Sequence, residues 1–231
     1  MKLHDLDTAV RTHFGDFVCE QINDTSITKK VAFRHVVTES TGTDDVPDVG
    51  RLIDVYDTFG TIEFYHIDES GEAAKYLAPP SKWEKLYDEF YLWVEDMLDH
   101  SADEDGGELA PELDIEPLPA WVDTCIVIGD VPRSGNFILV ATEGDQAGHV
   151  FEFDHDGYEF THQANDAVEY IGKLLKPDSL MLTEIASHMR FIEDGDDDLQ
   201  WWIHEMKDNR GHLVTNVPLE SLVVEQVGSQ A

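Results

Sequence analysis

Apolar residues along this chain follow two periods, and the change from one to the other divides the sequence. Leu3, Leu6, Val10, Phe14, Phe17, Val18 and Ile22 recur every three or four positions, the spacing of an amphipathic opening helix with Gly15 as its weak point. Residues 31–37 are rich in β-branched side chains and predict a strand, followed by a polar loop over 38–47. Leu52, Ile53, Val55, Tyr56 and Phe59 predict a short helix that stops at Gly60, a residue suited to positive φ just past a helix end. Residues 61–67 then alternate as a strand does, closing in a turn at 68–71. The strongest helical pattern follows Pro79 and Pro80. Ser81 is placed to cap it and Glu84 to complete a capping box, while Trp83, Leu86, Tyr87, Phe90, Tyr91, Val94, Met97 and Leu98 form one apolar stripe. Such a stripe belongs against a core.

Residues 99–119 mix acids, paired glycines and prolines, and predict a surface linker and internal boundary. Beyond it the period becomes two. Strands are predicted at 124–128, 136–142, 149–153 and 158–161, separated by Gly129, Gly135, Gly144, Gly148 and Gly157, with a hairpin connection at 154–157. A helix over 165–175 ends at Pro177, because proline cannot continue it. A second helix over 180–191, an acidic loop at 193–198, a tryptophan-rich stretch at 199–206 and a strand-like tail at 222–227 complete the chain. The pattern predicts an α+β fold, a mostly antiparallel sheet of about five to seven strands flanked by helices. It reads as one domain over residues 1–177 with a C-terminal extension, 178–231, packed on the same core.

Charge narrows the function classes. Among 231 residues, 49 Asp and Glu face 15 Lys and Arg, a formal net charge of -34. Nucleic acid is excluded as an expected ligand, since phosphate affinity rests on Lys and Arg displacing counterions. An anionic membrane surface is disfavoured for the same reason. The acidity fits steering toward a basic partner or adaptation to high salt, where carboxylates are screened. Cys19 and Cys125 are too few for a disulfide framework, so both read as core thiols in a reducing compartment. The first residues lack a continuous apolar segment of the signal-peptide kind, and no apolar run reaches the roughly 20 residues of a membrane span. The expected location is the cytoplasm, and the expected state a monomer or weak dimer.

Candidate chemistry is sparse. His149, Asp154, His155, Asp156 and His162 gather around one hairpin and are ordinary metal-ligand types, but the turn itself calls for Asp and Gly. No HExxH, CxxC or GxSxG motif occurs, the acidic run at 193–198 lacks calcium-loop register, and the glycine loop at 129–135 has no phosphate-binding Lys. The expectation is a protein that is not an enzyme and has no catalytic residue, metal or cofactor. Partner binding is assigned to two acidic runs, Asp103, Glu104, Asp105 and Asp196, Asp197, Asp198, as an electrostatic rim, with Trp201 or Trp202, or else Trp121, as anchor.

Several short motifs carry a resemblance. They are Pro119-Ala120-Trp121, Ile128-Gly129 before Gly135-Asn136, Gly148-His149-Val150, and the closing helix from Ala164 to Leu174. Upstream stand Tyr56-Asp57-Thr58-Phe59-Gly60, Lys82-Trp83 and Trp93-Val94-Glu95-Asp96-Met97. In this order, over roughly residues 45–175, the chain resembles the SUKH superfamily, which includes bacterial toxin-immunity proteins and the Smi and Knr cell-wall regulators of fungi. The resemblance implies a non-enzymatic α+β protein that binds and blocks a cognate protein toxin, a basic one if it is a nuclease. A regulatory or scaffold SUKH protein that binds a host factor, and a metal-dependent hydrolase at the 149–162 hairpin, remain the alternatives.

Overall fold

The computed structural model describes residues 3–21, 24–102, 118–188, 191–192 and 200–216. Along them run α1 (Leu3–Arg11), β1 (Phe14–Gln21), β2 (Asp24–Thr38), α2 (Leu52–Thr58), β3 (Thr61–His66), β4 (Lys75–Leu77), α3 (Trp83–Ala102) and β5 (Ile126–Val131). Then follow β6 (Asn136–Val140), β7 (Val150–Asp154), β8 (Glu159–Ala164), α4 (Ala167–Leu174), α5 (Ser179–His188), β9 (Phe191–Ile192), β10 (Gln200–Asp208) and β11 (Leu213–Thr215). The fold is α+β, as the pattern predicts. No described helix is long and apolar enough to cross a membrane.

The chain divides into two compact units that cut across the boundary expected at 177: residues 1–38, 62–76 and 171–231 form one, residues 39–61 and 77–170 the other. In the first unit the strand order is β11-β10-β1-β2-β3-β4, with β9 also on β10. β1 is antiparallel to both β2 and β10, which sets Phe17 beside Val31 and Met206, and Cys19 beside Ile203. These side chains are buried, while Asp16, Ala32, Arg34 and Lys207 on the opposite face are exposed. α1 lies against β2, and α5 against β10 and β11.

The opening helix is therefore shorter than predicted. It ends at Arg11, and Phe14, Phe17 and Val18 belong to a strand whose buried positions, Phe17, Cys19 and Gln21, alternate. Two β-strands flanking the segment supply backbone partners that spacing along the sequence cannot reveal. Gly15 is the reason this strand fits. A Cβ there would stand 2.3 Å from the Lys207 carbonyl oxygen and 2.9 Å from the Phe33 ring, so β10 could stay only by shifting backbone. Gly15→Ala is expected to cost roughly 1–3 kcal/mol. The test is the urea midpoint: a midpoint equal to the parent's would show that β1 and β10 separate without penalty.

The second unit contains the antiparallel meander β5-β6-β7-β8. The sheet is covered on both faces, and every residue of β6 is buried. Phe137, Phe153 and Phe160 stand side by side across β6, β7 and β8, and Phe90 of α3 plugs into this aromatic row. On the other face the Tyr170 hydroxyl donates to Glu152 Oε1 at 2.7 Å. Tyr56 of α2 meets Trp83 edge-on. Backbones touch at Gly50 and Gly148, where a Cβ on Gly50 would lie 2.5 Å from the Gly148 carbonyl oxygen. The predicted Ser81 cap gives way to a single 3-10 turn, Pro80–Lys82, that leads straight into α3. The described residues form eleven strands rather than five to seven: a strand replaces the helical second half of residues 3–22, β4 is not predicted, and the tryptophan-rich stretch and its neighbours add three more. The predicted strand at 222–227 lies outside the described residues.

Candidate protein-binding face and a buried histidine chain

In the second unit, α3 and the β7–β8 hairpin build an acidic, aromatic face. The Tyr158 hydroxyl donates to Asp96 Oδ2 at 2.6 Å, and the Trp93 ring lies 4.7 Å, centroid to centroid, from His155. The hairpin tip is thereby tied to the side of α3. That tie brings together exposed Glu95, Asp154, Asp156 and Glu159, with half-buried Asp96 among them and Leu92 left 65% exposed. The antiparallel register sets Asp154 directly opposite Glu159, a like-charge pair that opposes strand pairing. A second confrontation adjoins the same helix. Asp130 of β5 has one carboxylate oxygen buried without a hydrogen-bond partner, and burial first, then the Glu89 charge, push its carboxyl up to about 6.

The five hairpin residues considered for a metal do not form one site. His149 and His162 meet ring to ring at 5.1 Å, whereas Asp154, His155 and Asp156 hold their donor atoms within 4.8 Å of one another at the tip. Asp154 lies three residues, roughly 10 Å, along β7 from Phe151, the strand partner of His162, and His149 lies farther still. At the tip, Asn136 Oδ1 accepts both the His155 backbone N–H at 3.1 Å and Nδ1–H at 2.8 Å. The backbone bond identifies that Asn136 atom as the oxygen, so Nδ1 carries a proton and Nε2 faces Asp156 Oδ1 at 3.1 Å. Asp154, His155 and Asp156 are the residues that could hold a cation. Asp156 is 87% exposed on its side chain, and no further described residue completes the set.

The sequence-assigned anchors are placed otherwise. Trp201 is buried in the first unit with the Lys29 ammonium 4.3 Å from its ring centroid, so its face is covered. Trp121 is core as well, stacked on Phe151 at 4.3 Å. Trp202 is half-buried. Asp103, Glu104, Asp105, Asp196, Asp197 and Asp198 lie outside the described residues. Cys19 and Cys125 are buried free thiols, and burial pushes each up to about 12, which removes thiolate nucleophilicity at neutral pH.

Sequence reasoning passed over a buried polar chain in the first unit. The Tyr65 backbone N–H donates to His35 Nδ1 at 3.0 Å, His35 Nε2 meets His13 Nδ1 at 2.8 Å, and His13 Nε2 meets Asp208 Oδ2 at 3.0 Å. Because the first donor is a fixed backbone N–H, His35 must carry its proton on Nε2, and His13 in turn on Nε2. The carboxylate closes the chain, and its other oxygen accepts N–H from Arg210 at 2.9 Å and His212 at 2.7 Å. Tyr65 holds its end through a left-handed backbone, φ 56, unusual for a buried aromatic residue. Burial lowers His35 well below its ordinary range, with His13 adding to the effect. Burial also lowers His13, against the opposing pull of Asp208. Burial alone would raise Asp208, but the N–H groups of His212 and Arg210 and the His13 bond hold it low.

The chain matches no family model, no curated protein and no solved structure.

Proposed function

We propose that this chain is a non-enzymatic binding protein that neutralises a cognate protein toxin of basic surface, with the acidic α3 and β7–β8 face of the second unit as the contact. One observation carries the reading: Asp154 opposes Glu159 in register, with Asp156, Glu95 and Asp96 on the same hairpin and helix. Like charges placed opposite each other in a sheet weaken the isolated protein, and a basic partner relieves them on binding. Trp93, Tyr158 and Leu92 supply the apolar centre that such an interface needs beside its charged rim. The motifs that resemble the SUKH superfamily support the toxin as partner, and nearly all of them fall within the second unit.

The first experiment is co-expression with the protein encoded beside this one. Rescue of growth and a one-to-one complex are expected; no rescue and no complex at micromolar concentration sink the proposal. Within such a complex, the triple variant Asp154→Asn, Asp156→Asn, Glu159→Gln is expected to slow association about tenfold at low salt, with dissociation little changed. Unaltered association kinetics would move the contact elsewhere. A partner recovered as a host factor instead of a toxin would favour the regulatory reading.

The donor-atom cluster at Asp154, His155 and Asp156 favours one other reading, a metal-dependent hydrolase. Elemental analysis of purified protein separates the two, because a hydrolase requires a stoichiometric ion whose removal abolishes turnover.

A further inference from the structure

We propose that the buried chain from Tyr65 through His35 and His13 to Asp208 is a proton-sensitive latch that holds the β10–β11 turn on the α1–β1 junction and releases it in mild acid. The argument is one of proton counting. With a carboxylate at one end and the Tyr65 N–H at the other, each hydrogen bond has one donor and one acceptor. Every arrangement of one added proton breaks that balance. On His13 Nδ1 it faces the His35 Nε2–H; on His35 Nδ1 it faces the Tyr65 N–H. Placed on Asp208, it reverses the donors down the chain and ends in the same confrontation at Tyr65. A backbone N–H cannot change role, so no tautomer rescues the protonated state.

The surroundings give it no help. His13 and Asp208 side chains are 0% and 1% exposed, so water does not stabilise an added charge. Of the described ionisable groups that act on the pair, Arg210 disfavours a proton on both histidines, His212 disfavours one on His13, and Asp208 attracts one. The Tyr65 hydroxyl donates to the Leu174 carbonyl, and burial pushes its own ionisation far up, so it brings no negative charge to the pair.

Asp208 also organises what would open. Its carboxylate accepts two N–H groups of its own turn, and that turn grips the preceding helix and strand. Asn209 donates from its side chain to the Thr12 carbonyl at 2.8 Å and from its backbone to the Phe14 carbonyl at 2.9 Å, and Arg210 reaches the Ala9 carbonyl. Opening these contacts would hydrate the histidines and let them take up protons at their ordinary value, 6.5. Both are lowered in the closed form, so the closed form is fully favoured above that pH and loses ground as pH falls below it. The opening equilibrium rises up to about tenfold per pH unit for each proton taken up, about a hundredfold for two.

The test is hydrogen exchange of the full chain at pH 7.5 and 5.0, corrected for intrinsic rates, with 15N NMR of the imidazoles. At pH 5.0 the amides of 12–16 and 206–214 are expected to lose at least tenfold in protection relative to those of β5–β7. At pH 7.5 both rings are expected as neutral Nε2–H tautomers. The double variant His13→Gln, His35→Asn keeps side-chain hydrogen bonding but cannot titrate, and is expected to lose the excess pH dependence. Unchanged protection in the parent, the same acid loss in the variant, an Nδ1–H tautomer at neutral pH, or charged rings in a segment that stays protected would each overturn the proposal. If the variant does not fold, the parent's exchange and NMR decide by themselves.

Discussion

Phe90→Ala is expected to be among the most damaging single substitutions in the second unit, at about 3–5 kcal/mol. Phe90 is fully buried and meets three aromatic rings edge-on, Phe137 at 5.8 Å, Phe153 at 5.2 Å and Phe160 at 6.3 Å between centroids. Truncation removes the transfer free energy of the ring and leaves a cavity against strands that cannot collapse into it. β6 and β7 are each paired on both sides, and β6 is buried over its whole length. Each lost edge-to-face contact adds to that. Phe90→Leu, which keeps much of the volume, is expected to recover a large share. Equilibrium unfolding in urea checks both. A Phe90→Ala loss below about 1 kcal/mol would mean that the aromatic row does not carry the packing of this unit.

Asp208→Ala is expected to cost about 3–5 kcal/mol in the first unit, the combined loss of three hydrogen bonds to one carboxylate. The substitution strands three donors at once, the Arg210 and His212 N–H groups and His13 Nε2–H. The buried His13 donor incurs its full desolvation penalty, and the two part-buried backbone donors lose bonds to a charged acceptor. Asp208→Asn keeps one acceptor oxygen and is expected to lie between the parent and the alanine variant. The loss is expected in the exchange protection of β1, β10 and β11, with β6 and β7 unchanged. Equal loss in both units would mean that they unfold as one, and an intact β10 would refute this role of the Asp208 carboxylate.

Much of the fold was legible in the sequence because those elements are decided locally. The stripe from Trp83 to Met97 became α3, and the glycine-punctuated alternation after residue 124 became β5 to β8. Where reading failed, a neighbour distant in the sequence made the decision. Phe14, Phe17 and Val18 satisfy a helical spacing and a strand spacing alike, and β2 and β10, whose residues pair with β1 from as far away as Asp208, settle the choice. Gly15 looks like a weak helix position and is a contact between backbones. Trp201 looked like an anchor because exposure cannot be read from residue type.

The same division holds for the sites. By itself the sequence determined the charge, the absence of catalytic motifs, the α+β pattern and the hairpin at Asp154 to Gly157, since each depends on composition or on residues a few positions apart. Only the tertiary structure decided that α3 borders that hairpin and that Asp154 faces Glu159, because register follows from strand pairing. It alone joined His13, His35 and Asp208, residues with no common motif, whose significance arises from the exclusion of water around them. A histidine in a sequence is a solvated base; between a fixed backbone donor and a buried carboxylate it becomes a link that an added proton would break.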